Sequence, residues 1–586
     1  MSYQPVNKVR FVTATTLFDG HDAAINIFRR ILQASGAEVI HLGHNRSGTE
    51  IVQTAIEESA QGIAVTSYQG GHMEFYRYMR DLLVEQGHEH VRLFGGGGGT
   101  ILPAEGDELM EYGVTRIYSP DDGRRMGLQG MVDDMMEKSD FPVGELNGLA
   151  IDSLHSSDHT KLAQVISAAE NYPDKYQDLF DDLAERAAAA TVPVLGFTGT
   201  GGSGKSSLVD EVVRRFLLDF DDRTVAIVSV DPSKRKSGGA LLGDRIRMNS
   251  IPHPRAYMRS LATRQANLAL SKAVKATLDL LKVAGFDLVI LESSGIGQSD
   301  TEIVDFADVS AYVMTPDYGA ASQLEKIDML EFADLVAVNK ADKLGALDAL
   351  RDVRKQYRRN HVRFEENDET LPIHLTIASE FNDPGTNRFY RAAMLAVNAK
   401  QGGGFVPDLD LPTLDEDKQH VVPPQRSRYL AEIVENLRRT DAWVDEQAKI
   451  ADEWYRLEGA AAMLEGTSKD EVAKLAEEAA GRLDPANRQA LEGWDELLNR
   501  YSGEEYTYSV RGREIKVPIV HVTLSHTKVP KVATPRFQGW GDRLRWLLRE
   551  NLPGHFPYTA GIYPLKRTQE DPTRMFAGEG PPEQTN

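Results

Sequence analysis

The 586-residue chain contains no cysteine, so disulfides and thiolate metal sites are excluded and histidines and carboxylates remain as metal ligands. No stretch reaches the roughly 18 apolar residues of a membrane span, and residues 1–10 lack the apolar core of a signal peptide. Positive charge is in deficit, because 66 lysines and arginines face 88 aspartates and glutamates. We therefore expect a cytoplasmic protein that binds neither membranes nor nucleic acid.

The length predicts three to five domains. Five short apolar runs alternate with helical stretches near the start, which predicts a parallel flavodoxin-like sheet over residues 1–140. A second α/β domain is predicted over residues 191–402, after a helical connector at 141–190. Residues 403–504 are charged and rich in alanine and leucine, which predicts a helical linker domain, and residues 505–586 begin with alternating strands. The strands predicted in the two α/β domains are 9–14, 38–42, 62–68, 91–94, 116–118, 194–197, 225–230, 286–291, 311–314 and 335–338.

A phosphate-binding loop follows the first strand of the second α/β domain. Residues 199–206 read GTGGSGKS and match G-x-x-x-x-G-K-[ST] between an apolar strand and a helix-forming run. Such glycines let backbone N–H groups point at phosphate oxygens, Lys205 neutralises the β- and γ-phosphates, and the Ser206 hydroxyl ligates Mg²⁺. The predicted nucleotide contacts in this loop are Gly199, Gly201, Gly202, Ser203, Gly204, Lys205, Ser206 and Ser207.

A second motif predicts which base is bound. Asn339, Lys340 and Asp342 form an N-K-x-D sequence at the end of a predicted strand. The Asp342 carboxylate would accept hydrogen bonds from guanine N1–H and the exocyclic amine, and adenine offers no such pair of donors. The two motifs together predict GTP rather than ATP as the bound nucleotide.

Three carboxylates between these motifs are candidate ligands of Mg²⁺, directly or through water: Asp231, Asp244 and Glu292. Arg247 lies close enough in the sequence to Asp244 to reach a phosphate. Lys205 and Glu292 are the residues predicted to act in GTP hydrolysis. The carboxylates could instead cap helices or turns, and Arg247 could be a surface residue without a function.

The G-domain motifs depart from those of small GTPases. Glu292 stands at the usual aspartate of D-x-x-G, and Gln298 follows Gly295 by three residues rather than one. Together with the sequence VDPS at 230–233, this pattern resembles the G-protein chaperones of methylmalonyl-CoA mutase over residues 192–400. The resemblance implies slow GTP hydrolysis coupled to the conformation of a partner.

A histidine follows the first strand of the N-terminal sheet, at an edge where ligands bind in doubly wound folds. Asp19 could accept from His21 Nδ1–H, which would fix the tautomer and make Nε2 a better metal ligand. Taken alone, this D-x-H sequence is also typical of a turn. The third strand ends in Thr66-Ser67-Tyr68, and the fourth ends in glycines 95–99 that would leave room for a channel.

These features together resemble the cobalamin-binding domain of base-off/His-on enzymes, with its D-x-H-x-x-G, S-x-L and G-G motifs. Asp19, His21, Gly98 and Gly99 match, whereas alanine at position 24, Thr66 and Tyr68 replace Gly, Ser and Leu. The resemblance implies that His21 is the lower axial ligand of cobalt. It also implies that the dimethylbenzimidazole tail lies in a channel lined by Thr66, Tyr68, Gly98 and Gly99.

The domain order resembles the fused isobutyryl-CoA mutases, and residues 556–580 resemble the opening of their coenzyme A ester-binding (β/α)₈ barrel. The resemblance implies that residues 505–586 are the incomplete N-terminal start of this acyl-CoA mutase domain. A barrel takes about 250 residues, so we expect this chain to be the N-terminal part of such an enzyme. The resemblance implies an adenosylcobalamin-dependent isomerase, homodimeric when intact, that converts isobutyryl-CoA to n-butyryl-CoA. This part alone should bind cobalamin and Mg²⁺ and hydrolyse GTP.

Two other functions are compatible with the motifs. One is a stand-alone G-protein chaperone that delivers adenosylcobalamin to a separate mutase chain, with an adenosyltransferase as a further partner. The other is a methyl-carrying corrinoid protein, for which the G-domain has no evident use.

Overall fold

The protein is described from a computed structural model. The described residues are 3–146, 148–234, 236–264, 270, 273–295, 301–318, 324–325, 327–402, 404–409, 428–510, 513–523, 526–549 and 551–552. Gln298 and the barrel-like sequence at 556–580 lie outside them. The chain divides into two compact units, Met1–Gln419 and His420–Asn586.

The strands are β1 Arg10–Thr16, β2 Glu38–Arg46, β3 Gly62–Thr66, β4 Arg92–Gly96, β5 Arg116–Tyr118, β6 Val194–Gly199, β7 Val225–Asp231, β8 Ala240–Leu242, β9 Ala256–Ala262, β10 Leu288–Glu292, β11 Val309–Met314, β12 Leu335–Asn339, β13 Ile373–Thr376, β14 Glu505–Val510, β15 Arg513–Pro518, β16 Val520–Val522 and β17 Lys528–Pro530. The α-helices are α1 Ala23–Ala34, α2 Gly48–Glu57, α3 His72–Glu85, α4 Pro103–Tyr112, α5 Pro120–Ser139, α6 His159–Asn171, α7 Gln177–Ala188, α8 Lys205–Asp219, α9 Val274–Val283, α10 Met329–Phe332, α11 Ala346–His361, α12 Pro384–Gln401, α13 Tyr429–Met463, α14 Thr467–Gly481, α15 Pro485–Glu492, α16 Trp494–Tyr501 and α17 Trp540–Leu547. None of these helices is long and apolar enough to cross a membrane.

The first sheet is fully parallel, with strand order β5-β4-β3-β1-β2-β8. Its first five strands have the predicted flavodoxin-like order, and their apolar residues pack against α1–α5. Local signals place the helices: the Ser47 side chain accepts from Glu50 N at the start of α2, and Ser119 and Asp122 form a capping box at α5. The sixth strand, β8, was not predicted, and it comes from the second α/β domain.

The second sheet is also parallel, with order β13-β12-β11-β6-β10-β7-β9. The predicted strands correspond to β6, β7, β10, β11 and β12, whereas β9 and β13 were not predicted. Helices α6 and α7 of the connector contribute Leu162, Ile166 and Leu183 to the core on one face of this sheet. The connector is therefore a packed layer of the second domain rather than a free spacer.

The second unit consists of α13–α17 and two antiparallel ribbons, β14-β15 and β16-β17. Trp454 of α13 packs with alanines of α14 and with Leu544 of α17 in one small core. Trp494 and Ile519 belong to a second small core that joins α16 to the ribbons.

Candidate functional site

The predicted phosphate loop lies between β6 and α8, as its sequence requires. Gly199 and Gly204 have φ angles of 145° and 90°, which favour glycine. A Cβ on Gly199 would lie 2.0 Å from Val313 O, and one on Gly204 would lie 2.4 Å from Asn339 Nδ2. The loop therefore needs glycine at both positions for conformation and for space.

Side chains from α8, from the turn at residues 244–247 and from β10 meet beside this loop. Ser206 Oγ lies 2.9 Å from Asp244 Oδ1 and 2.9 Å from Glu292 Oε1. Arg247 Nη1 donates to Asp244 Oδ1 at 2.8 Å, and Lys205 Nζ donates to Gly199 O at 3.2 Å. The structure thus brings three of the predicted nucleotide and magnesium residues, Asp244, Glu292 and Arg247, around the Ser206 hydroxyl.

The carboxylates of this cluster are buried close to one another, which disfavours their ionised forms. Burial and the charge of Asp244 raise the pKa of Glu292 well above its usual range, against the opposing effect of Lys205. Burial and Asp244 likewise raise the pKa of Asp231, although its Oδ2 accepts from Gly243 N at 2.9 Å. A cation placed among these acids would relieve both effects.

Three buried oxygens in the site have no hydrogen-bond partner among the described residues: Thr200 Oγ1, Ser203 Oγ and Glu292 Oε2. Unpaired buried oxygens are costly, and a metal ion with its waters or a phosphate would satisfy them. Within the described ranges, no three histidine or acidic side chains converge closely enough to bind a metal by themselves. The residues therefore fit Mg²⁺, which usually keeps several waters and takes ligands from phosphates.

The base-recognition loop is joined to the phosphate loop through Asn339. Its Nδ2 donates to Ser203 O at 2.8 Å, and its Oδ1 accepts from Thr376 Oγ1 and from Ala378 N, each at 3.1 Å. Lys340 Nζ donates to Gly202 O at 2.8 Å, so it lies across the loop. Asp342 is exposed just beyond β12, where a base could reach its carboxylate.

Gly201 and Gly202 are exposed and Ser207 is half-buried on the first turn of α8. The sequence did not point to Ser229, which donates from Oγ to Asp244 Oδ2 at 2.6 Å and so fixes that carboxylate. It also did not point to Thr376 and Ala378, because they come from the unpredicted β13 and the loop that follows it. Residues of this kind act through contacts between distant parts of the chain, which carry no local motif.

The predicted cobalt ligand is held as the sequence suggested. His21 Nδ1 lies 2.8 Å from Asp19 Oδ1, and the same oxygen accepts from His21 N at 2.9 Å. Asp19 is buried, whereas 77% of the His21 side chain is exposed. Burial alone would raise the pKa of Asp19, but hydrogen bonds from Tyr68 N, His21 N and the imidazole hold it below its usual value. An ionised Asp19 places the imidazole proton on Nδ1 and leaves Nε2 free for a ligand.

A largely apolar cavity of ≈ 220 Å³ lies beside this histidine. Tyr68 belongs to its wall, and the Tyr68 ring lies 5.6 Å from the His21 ring, centroid to centroid. Thr66 also lines the cavity, and its buried Oγ1 has no hydrogen-bond partner. An apolar ring system with one polar atom for Thr66 fits this space.

The prediction that Gly98 and Gly99 both line the channel is corrected at Gly99. Gly98 lines the cavity together with Gly95, Gly96 and Gly97, but Gly99 does not, and a Cβ on Gly99 would meet open space. The turn at Gly98, which has a φ of 57°, directs Gly99 away from the wall. Other wall residues were not predicted: Ile25, Phe28, Phe94, Tyr118, Ser119, Pro120, Met131 and Met135.

Two family models match the domains that contain these residues. The B12 binding domain family matches residues 9–119, which contain Asp19, His21 and most of the wall of the apolar cavity. The methylmalonyl Co-A mutase-associated GTPase MeaB family matches residues 162–405, which contain the phosphate loop and the carboxylate cluster. The chain joins a B12-binding domain to a MeaB-type GTPase domain. Each predicted motif lies in the domain whose family it resembles.

Relatives match this chain over nearly its whole length. The fused isobutyryl-CoA mutase of Cupriavidus metallidurans is 52% identical over 99% of this chain and 54% of that protein. The fused isobutyryl-CoA mutase of Geobacillus kaustophilus is 50% identical over 100% of this chain and 55% of that protein. A putative GTPase of Pyrococcus horikoshii is 35% identical over 35% of this chain and 62% of its own. The chain thus spans about half the length of the fused mutases that it matches.

Proposed function

We propose that the B12-binding domain holds adenosylcobalamin with His21 as the lower axial ligand of cobalt. The observation that carries this proposal is the Asp19–His21 hydrogen bond beside an apolar cavity. Because Asp19 accepts a hydrogen bond from Nδ1–H, the exposed Nε2 presents its lone pair. The cavity would take the dimethylbenzimidazole tail, with Thr66 Oγ1 available to one of its nitrogens.

The GTPase domain would bind GTP and Mg²⁺ and hydrolyse the nucleotide. Lys205 lies at the phosphate loop to neutralise the β- and γ-phosphates, and Ser206 with Asp231, Asp244 and Glu292 would hold Mg²⁺, partly through water. These groups stabilise the charge that develops as water attacks the γ-phosphorus and the bond to the β-phosphate oxygen breaks. Asp342 would select guanine.

The chain is then the N-terminal part of an acyl-CoA mutase whose GTPase domain gates the loading of cofactor. When bound, adenosylcobalamin supplies the homolysis of its Co–C bond, which starts the rearrangement of isobutyryl-CoA to n-butyryl-CoA. The acyl-CoA substrate would bind to a barrel domain of which residues 505–586 form the incomplete start. We further propose residues 1–140, 141–190, 191–402 and 403–504 as the functional domains of a cytoplasmic homodimer.

The cobalt ligand is tested by electron paramagnetic resonance of bound cob(II)alamin in protein labelled with ¹⁵N at histidine. We expect a nitrogen splitting that changes with the label and disappears in His21→Ala. His44→Ala is the matched control, because His44 is an exposed histidine of the same domain. A nitrogen splitting that does not change with the histidine label would overturn the assignment of His21 as the cobalt ligand.

GTP hydrolysis is tested separately by phosphate release from the full chain with Mg²⁺. We expect Lys205→Ala to lower the rate at least about 100-fold, since the transition-state charge loses its cation. Lys355→Ala on α11 is the control, because Lys355 is exposed on that helix. Equal rates in the two variants would contradict the assigned site.

A further inference from the structure

An exposed aromatic residue lies in the loop that carries the proposed cobalt ligand. Phe18 follows β1, immediately precedes Asp19 and lies three residues before His21. The residue is 85% exposed. Single exposed apolar residues are common on protein surfaces, so exposure alone assigns no function to Phe18. The conformation of its backbone gives a second observation.

The backbone of Phe18 is strained. Its φ angle is 63°, which lies in the left-handed region where glycine is at ease and a bulky side chain is an outlier. In this region Cβ comes close to the following carbonyl oxygen, so the conformation costs stability. Such strain persists where the surrounding contacts fix the backbone, and it is concentrated at ligand sites and active sites.

Three hydrogen bonds fix Phe18 in this conformation. Phe18 N donates to Asn45 Oδ1 at 2.7 Å, and Asn45 N donates to Thr15 Oγ1 at 3.2 Å. The same hydroxyl donates to Asp19 O at 2.9 Å, on the other side of Phe18 in the chain. Asn45 also has a left-handed backbone, with a φ of 58°. Contacts from β1 and β2 therefore hold the backbone on both sides of the exposed phenylalanine.

Phe18 lies outside the apolar cavity proposed for the dimethylbenzimidazole tail. The described wall of that cavity includes Thr66, Tyr68 and Gly98, and Phe18 is not among its residues. A cobalamin whose base has left the cobalt has two large parts, which are the tail and the corrin macrocycle around the metal. An exposed ring near the cobalt ligand but outside the tail cavity therefore suits the corrin rather than the tail.

The distance along the chain is consistent with a corrin contact. Consecutive Cα atoms are about 3.8 Å apart, so the Cα atoms of Phe18 and His21 are separated by at most about 11 Å. A corrin centred on the metal extends several ångströms from it in every direction of its plane, and the face of the macrocycle is largely apolar. A phenyl ring covered by that face would be removed from water, which favours binding.

We propose that Phe18 packs against the face of the corrin macrocycle and positions the bound cobalamin. The inference rests on the proposed function, because it requires His21 to ligate the cobalt. The strained loop then has a role, since its backbone is already fixed before the cofactor binds. A fixed backbone loses little freedom on binding, so more of the energy of the contact appears as affinity.

Phe18→Gly distinguishes this role from a structural one. Glycine adopts the left-handed backbone without strain, so the midpoint of urea unfolding of the cofactor-free chain should not fall. The dissociation constant of adenosylcobalamin, measured by absorbance titration of the full chain, should rise about 5- to 30-fold, because the buried ring is lost. A residue that only stabilised the loop would not give this pair of results.

Val362→Gly is the matched control. Val362 follows α11 in the GTPase domain, is 75% exposed and also has a left-handed backbone, with a φ of 54°. The same change of side chain and of backbone freedom should leave the dissociation constant of adenosylcobalamin unchanged. If Phe18→Gly does not fold, Phe18→Asn replaces it, since asparagine tolerates the left-handed region and lacks the ring.

Adenosylcobinamide, which keeps the corrin ring but lacks the dimethylbenzimidazole tail, identifies the part of the cofactor in contact. The Phe18 variant should weaken its binding by the same factor as it weakens adenosylcobalamin binding. A loss confined to adenosylcobalamin, or no binding of adenosylcobinamide to the wild-type chain, would contradict a contact with the corrin face. Unchanged adenosylcobalamin affinity in the folded variant would overturn the inference and leave the proposed function intact. Failure of the wild-type chain to bind adenosylcobalamin would overturn the proposed function as well.

Discussion

The backbone amide of Tyr68 donates a 2.6 Å hydrogen bond to Asp19 Oδ2, from the end of β3 to the loop after β1. The other oxygen of Asp19 faces His21. The carboxylate therefore joins two strand ends and orients the imidazole, and the neighbouring Tyr68 ring forms part of the cavity wall. In the proposed function, cofactor ligation and tail binding would thus both depend on one buried aspartate.

Asp19→Asn should weaken cobalamin binding without unfolding the protein. The amide keeps the shape of the side chain but loses the charge that increases the basicity of the imidazole. Outer partners of metal-binding histidines typically contribute about 10- to 100-fold in affinity, and we expect a loss in that range. Absorbance titration measures it, with Asp22→Asn in the same loop as the control. Unchanged affinity in Asp19→Asn would argue against a role for the dyad.

Thr66→Val should change the stability of the protein and its affinity for cobalamin in opposite directions. The variant removes a buried hydroxyl that has no partner, so we expect the free energy of unfolding to rise by about 1 kcal/mol in the cofactor-free protein. Cobalamin affinity should fall if the tail uses this hydroxyl. Thr13→Val is the matched control, because Thr13 Oγ1 is hydrogen-bonded to His41 Nδ1 at 2.9 Å. That change should destabilise the domain, and urea unfolding distinguishes the two results.

Gly97→Ala should disrupt the B12-binding domain. A Cβ at this position would lie 1.9 Å from Ser67 O, and the contact is with backbone, so the strand ends must separate. We expect a loss of about 1–3 kcal/mol in the free energy of unfolding. Gly99→Ala provides the comparison, because its Cβ meets nothing within 4 Å. Equal stability of both variants in thermal unfolding would refute the packing argument.

Asp342→Asn should change base selectivity from guanine to xanthine. Xanthine carries a carbonyl where guanine has its exocyclic amine, and the asparagine amide can donate to that oxygen. We expect GTP binding to weaken by about 10-fold or more while XTP binding improves, as measured by competition with a fluorescent nucleotide. Asp348→Asn, at an exposed position of α11, should leave both affinities as they are.

Stability without Mg²⁺ should fall as pH rises. Burial and the charge of Asp244 raise the pKa of Glu292 and Asp231 in the folded protein, so the folded state binds these protons more tightly than the unfolded chain. The free energy of unfolding begins to fall near the unfolded pKa of about 4, and it continues to fall until the pH passes the raised pKa values of the folded protein. Mg²⁺ should remove this pH dependence.

The midpoint of thermal unfolding, measured in EDTA and in Mg²⁺–GDP from about pH 5 to 8, checks this prediction. The gap between the two midpoints should widen with pH. Glu292→Gln should reduce the difference between the two midpoints, whereas Glu331→Gln at an exposed position of α10 should leave that difference unchanged. A constant gap would show that these carboxylates do not carry the linkage.

Sequence reasoning succeeded where a motif is local. The phosphate loop, the N-K-x-D sequence and the D-x-H spacing each place their side chains within a few residues of one strand end. Because the strands of each sheet are parallel, these strand ends lie at one edge of their sheet. It missed β9, because Arg259 interrupts an otherwise apolar run. That arginine is buried because α6 supplies partners for it: Glu170 pairs with it at 2.7 Å, and Ser167 Oγ accepts from it at 2.9 Å.

The short strand β8 was missed for a different reason. Three residues give no measurable periodicity, and the strand exists because β2, two hundred positions earlier, offers an unpaired edge. The carboxylates Asp231 and Asp244 were identified one by one, whereas their connection through Gly243 depends on that pairing. Contacts of this range cannot be derived from a window of sequence.

The strand exchange between the two sheets has a consequence for how such proteins can be cut and recombined. A fragment ending near residue 140 would lose β8, leaving β2 as an open edge that can pair with another molecule. It would also lose the arginines 245 and 264 that neutralise Glu57, Glu58 and Glu38. The two domains are interlocked, and a swap of either domain between homologues must carry the matching strand and charges with it.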